Sequence, residues 1–121
     1  MNKRIMRIND EIARVTADII RSEMDDPRIG TVVSVLKAET TNDLKYCKVS
    51  VSVLGDNQQE TMDALNKGAR FVRKRIADIV NLRNTPEIQF IFDDSIEYGM
   101  RMRQLIEEVN RKERASRVND A

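Results

Sequence analysis

Residues 45–54, Lys45-Tyr46-Cys47-Lys48-Val49-Ser50-Val51-Ser52-Val53-Leu54, alternate without a break. Cys47, Val49, Val51 and Val53 fall on one side and Tyr46, Lys48, Ser50 and Ser52 on the other. That is the two-residue period of a β-strand with one buried face. Upstream, residues 31–39 hold the β-branched Thr31, Val32, Val33 and Val35, and Thr41-Asn42-Asp43 between the runs has turn composition. The two runs predict an antiparallel hairpin. Gly55-Asp56-Asn57 ends the alternation, after which Met62, Leu65, Ala69, Val72, Ile76 and Ile79 take up helical spacing. The period predicts a helix over residues 58–80 with Gly68 in its middle, where glycine costs about 1 kcal/mol relative to alanine. The glycine reads as a close packing contact or as a kink between two shorter helices.

Outward from this centre, Ile5, Ile8, Ile12, Val15 and Ile19 form an apolar stripe on a first helix. Asp25-Asp26-Pro27 ends that helix, because the residue before proline is pushed out of helical geometry, and Gly30 completes a short loop. After Thr85-Pro86 comes a third strand with Ile88, Phe90 and Phe92 on one face. Asp93-Asp94-Ser95 offers helix caps, and a last helix carries Tyr98, Met102, Leu105 and Val109. From Asn110 to Ala121 the apolar spacing is lost, so residues 1–109 are expected to form the domain and 110–121 a basic, frayed tail. The predicted class is a single-domain α+β fold. A three-stranded mixed sheet carries helices on one face, in the order α-β-β-α-(kink)-α-β-α.

Composition limits the chemistry. The chain has 121 residues, 40% apolar and 34% charged, which suits one domain. With no histidine, imidazole catalysis and the commonest zinc ligand are excluded. Four glycines, Gly30, Gly55, Gly68 and Gly99, permit neither GxGxxG nor a phosphate-binding loop. The carboxylate pairs Asp25-Asp26 and Asp93-Asp94 could hold a hard cation, but both sit at element ends, where aspartate caps and turns. Cys47 alternates inward as a small hydrophobe and can form no disulfide within the chain. The expectation is a protein without catalytic residues, metal or cofactor. A reducing, cytoplasmic compartment is expected, because the basic start Met1 to Arg7 lacks a signal peptide's apolar run and no stretch approaches a membrane span.

Lys plus Arg number 21 against 20 for Asp plus Glu, so net charge names no partner. The distribution does. Residues 67–83 hold Lys67, Arg70, Arg73, Lys74, Arg75 and Arg83 against one acid, Asp78. At 100° per residue Lys67, Arg70 and Lys74 oppose Leu65, Val72 and Ile76, which separates a basic side from a core side. Phosphate backbones attract such a surface. The plain alternative is a solvated helix face, but acids do not interleave here and Gly68 lies among the bases. Lys3, Arg4 and Arg7 open the first helix as a second basic group. Arg111, Lys112, Arg114 and Arg117 load the C-terminal end, where the helix dipole favours cations in any case. Five aromatics, with Phe90 and Phe92 committed to the core, argue against a sheet that stacks bases. Tyr46 with Lys48 is a weaker alternative contact.

The element order matches the type II KH-like arrangement. KH domains clamp nucleic acid with a GxxG loop between two helices, whereas Lys67-Gly68-Ala69-Arg70 stands here. Five stretches, in order, resemble the bacterial ribosome-binding factor A family over nearly the full chain. They are Arg7-Ile8-Asn9-Asp10-Glu11-Ile12, Asp26-Pro27-Arg28-Ile29, Thr41-Asn42-Asp43-Leu44, residues 82–90 (Leu82 to Phe90) and residues 93–99 (Asp93 to Gly99). The family's interhelical kink typically reads Ala-x-Gly; here Gly68-Ala69-Arg70 places the glycine first. The resemblance implies a monomeric, non-enzymatic assembly factor that binds the free small (30S) ribosomal subunit. It implies contact with 16S rRNA near its 5′-terminal helix and with ribosomal proteins, a part in late maturation and 16S processing, and importance in the cold. Other readings are a KH-like RNA-binding module outside ribosome assembly and a protein–protein adaptor.

Overall fold

β2 (Tyr46–Val53) is the central strand of the sheet, as its unbroken alternation requires. Cys47, Val49, Val51 and Val53 are almost fully buried, while Tyr46 and Lys48 on the opposite face are exposed. The computed structural model describes residues 3–24, 26–29 and 33–119. Asp25, Gly30, Thr31 and Val32, to which sequence expectations attach, lie outside them.

β1 (Val33–Thr40) pairs with β2 antiparallel, with a register shift between Val35 and Lys37. The hairpin closes at Thr41, whose N–H donates to Tyr46 O at 2.9 Å. Leu44 takes a positive φ of 61° in this turn. The Asp43 carboxylate accepts the Thr41 hydroxyl at 2.6 Å and the Lys45 N–H at 3.1 Å. β3 (Glu87–Phe92) pairs with β2 in parallel, Val49 opposite Phe90 and Val51 opposite Phe92.

The crossover between β2 and β3 is α2 (Gln58–Lys67) followed by α3 (Ala69–Ile79), broken at Gly68. With α1 (Lys3–Ser22) they cover one face of the sheet. The core joins Ile8, Ile12, Val15 and Ile19 of α1 to Leu65, Val72 and Ile76 of the crossover and to the inward strand residues. This is a two-layer α+β fold with a three-stranded mixed sheet, in the expected element order.

α4 (Ser95–Asn119) behaves differently. Asp93 caps it, its carboxylate accepting the Ser95 N–H at 2.8 Å, and Gln58 Nε2 donates to Glu97 Oε1 at 3.0 Å. Beyond these ties the helix leaves the body: every residue from Met100 to Ser116 is exposed. Tyr98, Met102, Leu105 and Val109 form the expected stripe, but it does not join the core. Nor does the helix stop at Val109, where the apolar spacing ends. Residues 110–119 contain no glycine or proline to terminate it.

Candidate nucleic-acid interface

The site is built around the break between α2 and α3. Gly68 has φ −86° and ψ 3°, a conformation open to any residue, so backbone freedom is not what requires glycine. Nor is space: a Cβ there would meet the terminal methyl of Met24, just past α1, and that methyl is the far end of a flexible side chain that can shift. The absent side chain lets Met24 lie against the junction. The junction is held from the other flank by Asn66. Its amide donates to Phe90 O at 3.3 Å and accepts the Phe90 N–H at 3.0 Å, which satisfies the free edge of β3.

Around this junction the structure divides the basic residues into two groups. Lys67, Arg70 and Lys74 are exposed and lie opposite the buried Leu65, Val72 and Ile76. Arg73 and Arg75 are engaged by their own chain, on opposite flanks. Arg73 donates from Nε and Nη2 to Thr85 O at 3.2 and 3.0 Å and stands 4.0 Å from Glu87, pinning the loop before β3. Arg75 reaches the end of α1, with Nε 2.7 Å from Glu23 Oε1, and Nη1 lies 3.3 Å from Asp78. The Glu23 carboxylate, and after it Asp78, raise the Arg75 guanidinium above its ordinary value. Asp78, the one acid in the basic segment, is thereby occupied. Arg83 is exposed in the loop between α3 and β3.

Lys3, Arg4 and Arg7 are exposed on the first turns of α1. Asn9 fixes that end of the helix by accepting the Thr40 N–H at 2.9 Å, which places the group towards the hairpin and away from the Met24 end. The structure therefore brings together Lys67, Gly68, Arg70 and Lys74, keeps Arg73 and Arg75 beside them in structural pairings, and sets the N-terminal group apart.

The residues weighed for chemistry take structural places. Burial pushes the Cys47 thiol up, away from the reactive thiolate. Ser95, through its hydroxyl and N–H, holds the Asp93 carboxyl below the ordinary range, as suits a helix cap. Among the described residues no cluster of three or more His, Cys, Asp or Glu is placed to hold a metal ion. No helix among them is long and apolar enough to cross a membrane. Two features escaped sequence reasoning: the Asn66 clamp on Phe90, and the exposure of Phe71 next to Arg70. The Asn66 pair spans 24 residues and has no local pattern. Phe71 stands one position before Val72 of the buried stripe, so its exposure could have been read from helical phase.

The chain is thus a small α+β domain in the type II KH-like element order, with a three-stranded mixed sheet and exposed cations at the helix break. Comparison with known proteins narrows this. The family model described as Ribosome-binding factor A matches residues 4–106. A ribosome-binding factor A from Lachnospira eligens is 50% identical over 105 residues, covering 85% of this chain and 81% of that one. The chain belongs to the ribosome-binding factor A family. Among solved structures, a candidate ribosome binding factor A from Thermotoga maritima is similar at a TM-score of 0.67 and 32% identity, over 80% of this chain and 95% of that one. A homology model of the Thermus thermophilus factor, fitted into a cryo-EM map of a 30S complex of that factor, shares the fold at a TM-score of 0.60 and 21% identity, over 71% of this chain and 91% of that one.

Proposed function

We propose that the chain is a cytoplasmic, monomeric assembly factor. It binds the free small ribosomal subunit, contacts 16S rRNA near its 5′-terminal helix, and supports late maturation and 16S end processing, most of all in the cold. Family membership and the 30S complex of the Thermus thermophilus relative support the ribosomal partner. The observation that carries the RNA contact is the Lys67–Arg70–Lys74 stripe. These cations project from the helix junction; Arg73, bound to Thr85 O, and Arg75, paired with Glu23 and Asp78, keep part of their side chains exposed and are assigned beside them as flanking phosphate contacts. Side chains neutralising phosphates release counterions, which gives affinity without base specificity. The junction, tied to β3 by the Asn66–Phe90 hydrogen bonds, presents them from the end of α2 and the outer side of α3. Arg83, Lys3, Arg4 and Arg7 are assigned as outlying phosphate contacts, and residues 110–121 as a basic tail.

Sedimentation tests the reading. Tagged protein in a cell extract should co-migrate with free small subunits and be scarce on translating ribosomes. Equal distribution over both, or binding that survives ribonuclease and high salt, would instead support a general RNA-binding module or a protein adaptor respectively.

A further inference from the structure

We infer that the recess beside Gly68 is a subsite for a single unpaired RNA base, with guanine the base its acceptors fit. The inference rests on the RNA reading of the neighbouring cationic stripe. The recess is a shallow, widely open hollow of about 400 Å³, and its lining includes Met24, Gly68, Phe71, Lys67, Glu23 and Asp26. It lies on the α1 side of the junction, away from the flank where Arg73 is bound to Thr85.

Three features set it apart from a plain surface hollow. Phe71 is 42% exposed, whereas Phe90 is buried and Phe92 half-buried. It follows Arg70 directly, so an aromatic face is set among cations. Unpaired RNA bases stack on such rings and are read along their Watson–Crick edges. The wall beside the ring is apolar, from Met24 and Gly68, and the missing Gly68 side chain is what makes that wall a close contact.

The polar part of the lining chooses the base. Glu23 presents a carboxylate acceptor. Arg75 takes Glu23 Oε1 at 2.7 Å and so orients that carboxylate, which has about four acceptor sites in all. Guanine carries two adjacent donors on its Watson–Crick edge, N1–H and the N2 amino group. Adenine and cytosine carry one amino donor there, and uracil one imino donor. Lys67, in the lining, and Arg70 beside it would take the flanking phosphates.

The test uses the full chain and labelled RNA pentamers UUGUU, UUAUU, UUCUU and UUUUU, with affinity read by fluorescence anisotropy over a range of salt. The wild type should bind UUGUU at least fivefold more tightly than the others. Phe71→Leu keeps apolar bulk but lacks a π-face, and should lose roughly tenfold on UUGUU with an unchanged salt slope. Phe71→Tyr should retain affinity, and Glu23→Gln should level the four pentamers. If folded Phe71→Leu binds like the wild type, or the wild type binds all four equally, the base subsite is overturned while the phosphate-binding face stands. If the wild type binds none of the pentamers and no small subunits, both the subsite and the RNA reading fail together.

Discussion

Asn66 shows how one side chain can tie the α2–α3 junction to the sheet. Its amide replaces a missing strand partner at Phe90, giving and receiving one hydrogen bond, and so locks the end of α2 to the outer edge of the sheet. Asn66→Ala should cost about 1–2 kcal/mol, the net worth of two such bonds. Urea unfolding should show a lower midpoint at unchanged m-value. Asp43 works the same way in the hairpin turn. The Thr41 hydroxyl and then the Lys45 N–H hold its carboxyl below the ordinary 3.8. A carboxyl depressed in the folded state stabilises above its unfolded value, and that contribution is lost as pH falls through the lower folded value. Thermal melts of wild type and Asp43→Ala should therefore differ at about pH 6 and converge towards about pH 2.

At the scale of elements, β2 carries the fold because both neighbours pair with it and one whole face is buried. Val51 is fully buried between Val35 and Phe92, so Val51→Asp would place an unpaired carboxylate in the core. Against a total stability of about 5–15 kcal/mol, that should leave the chain unfolded by circular dichroism at 25 °C. A cooperative melt near the wild-type temperature would contradict the strand register. β2 was legible in the sequence because period-two alternation is local, as were α1 and the crossover from their helical stripes. The break at Gly68 was legible as one of two readings, and the structure joins them: the helix breaks and Met24 packs closely there. What was not legible is non-local. Helical phase puts Lys74 opposite the core and Asp78 within one turn of Arg75, but the shorter Arg75 pairing is with Glu23 across 52 residues, and no local pattern marks it. The α4 stripe fails for a related reason. Spacing shows that a face is apolar, not that anything packs on it.

At the scale of the whole molecule, the body and α4 are energetically separate. From Met100 onward no described side chain of α4 is buried, so a chain ending at Gly99 should keep its core. Its melting temperature should fall by less than about 4 °C, corresponding to under 1 kcal/mol. A larger loss would mean that α4 supports the domain. The body in turn separates folding from binding: one side of the α2–α3 crossover builds the core and the other presents cations. The central claim is that this outer side binds ribosomal RNA. The direct measurement is the salt dependence of small-subunit binding for the triple variant Lys67→Glu, Arg70→Glu, Lys74→Glu, with Glu107→Lys, Glu108→Lys on α4 as control. All five residues are exposed, and surface changes of this kind usually stay within about 0.5 kcal/mol each, so both variants should fold. The account predicts that the triple variant fails to co-sediment with small subunits at moderate salt. Its residual low-salt binding should have a log–log slope flatter by about two to three, and the control should bind undiminished. A folded triple variant that binds with wild-type affinity and slope would contradict the account and move the RNA surface to Lys3, Arg4 and Arg7 or to the basic end of α4.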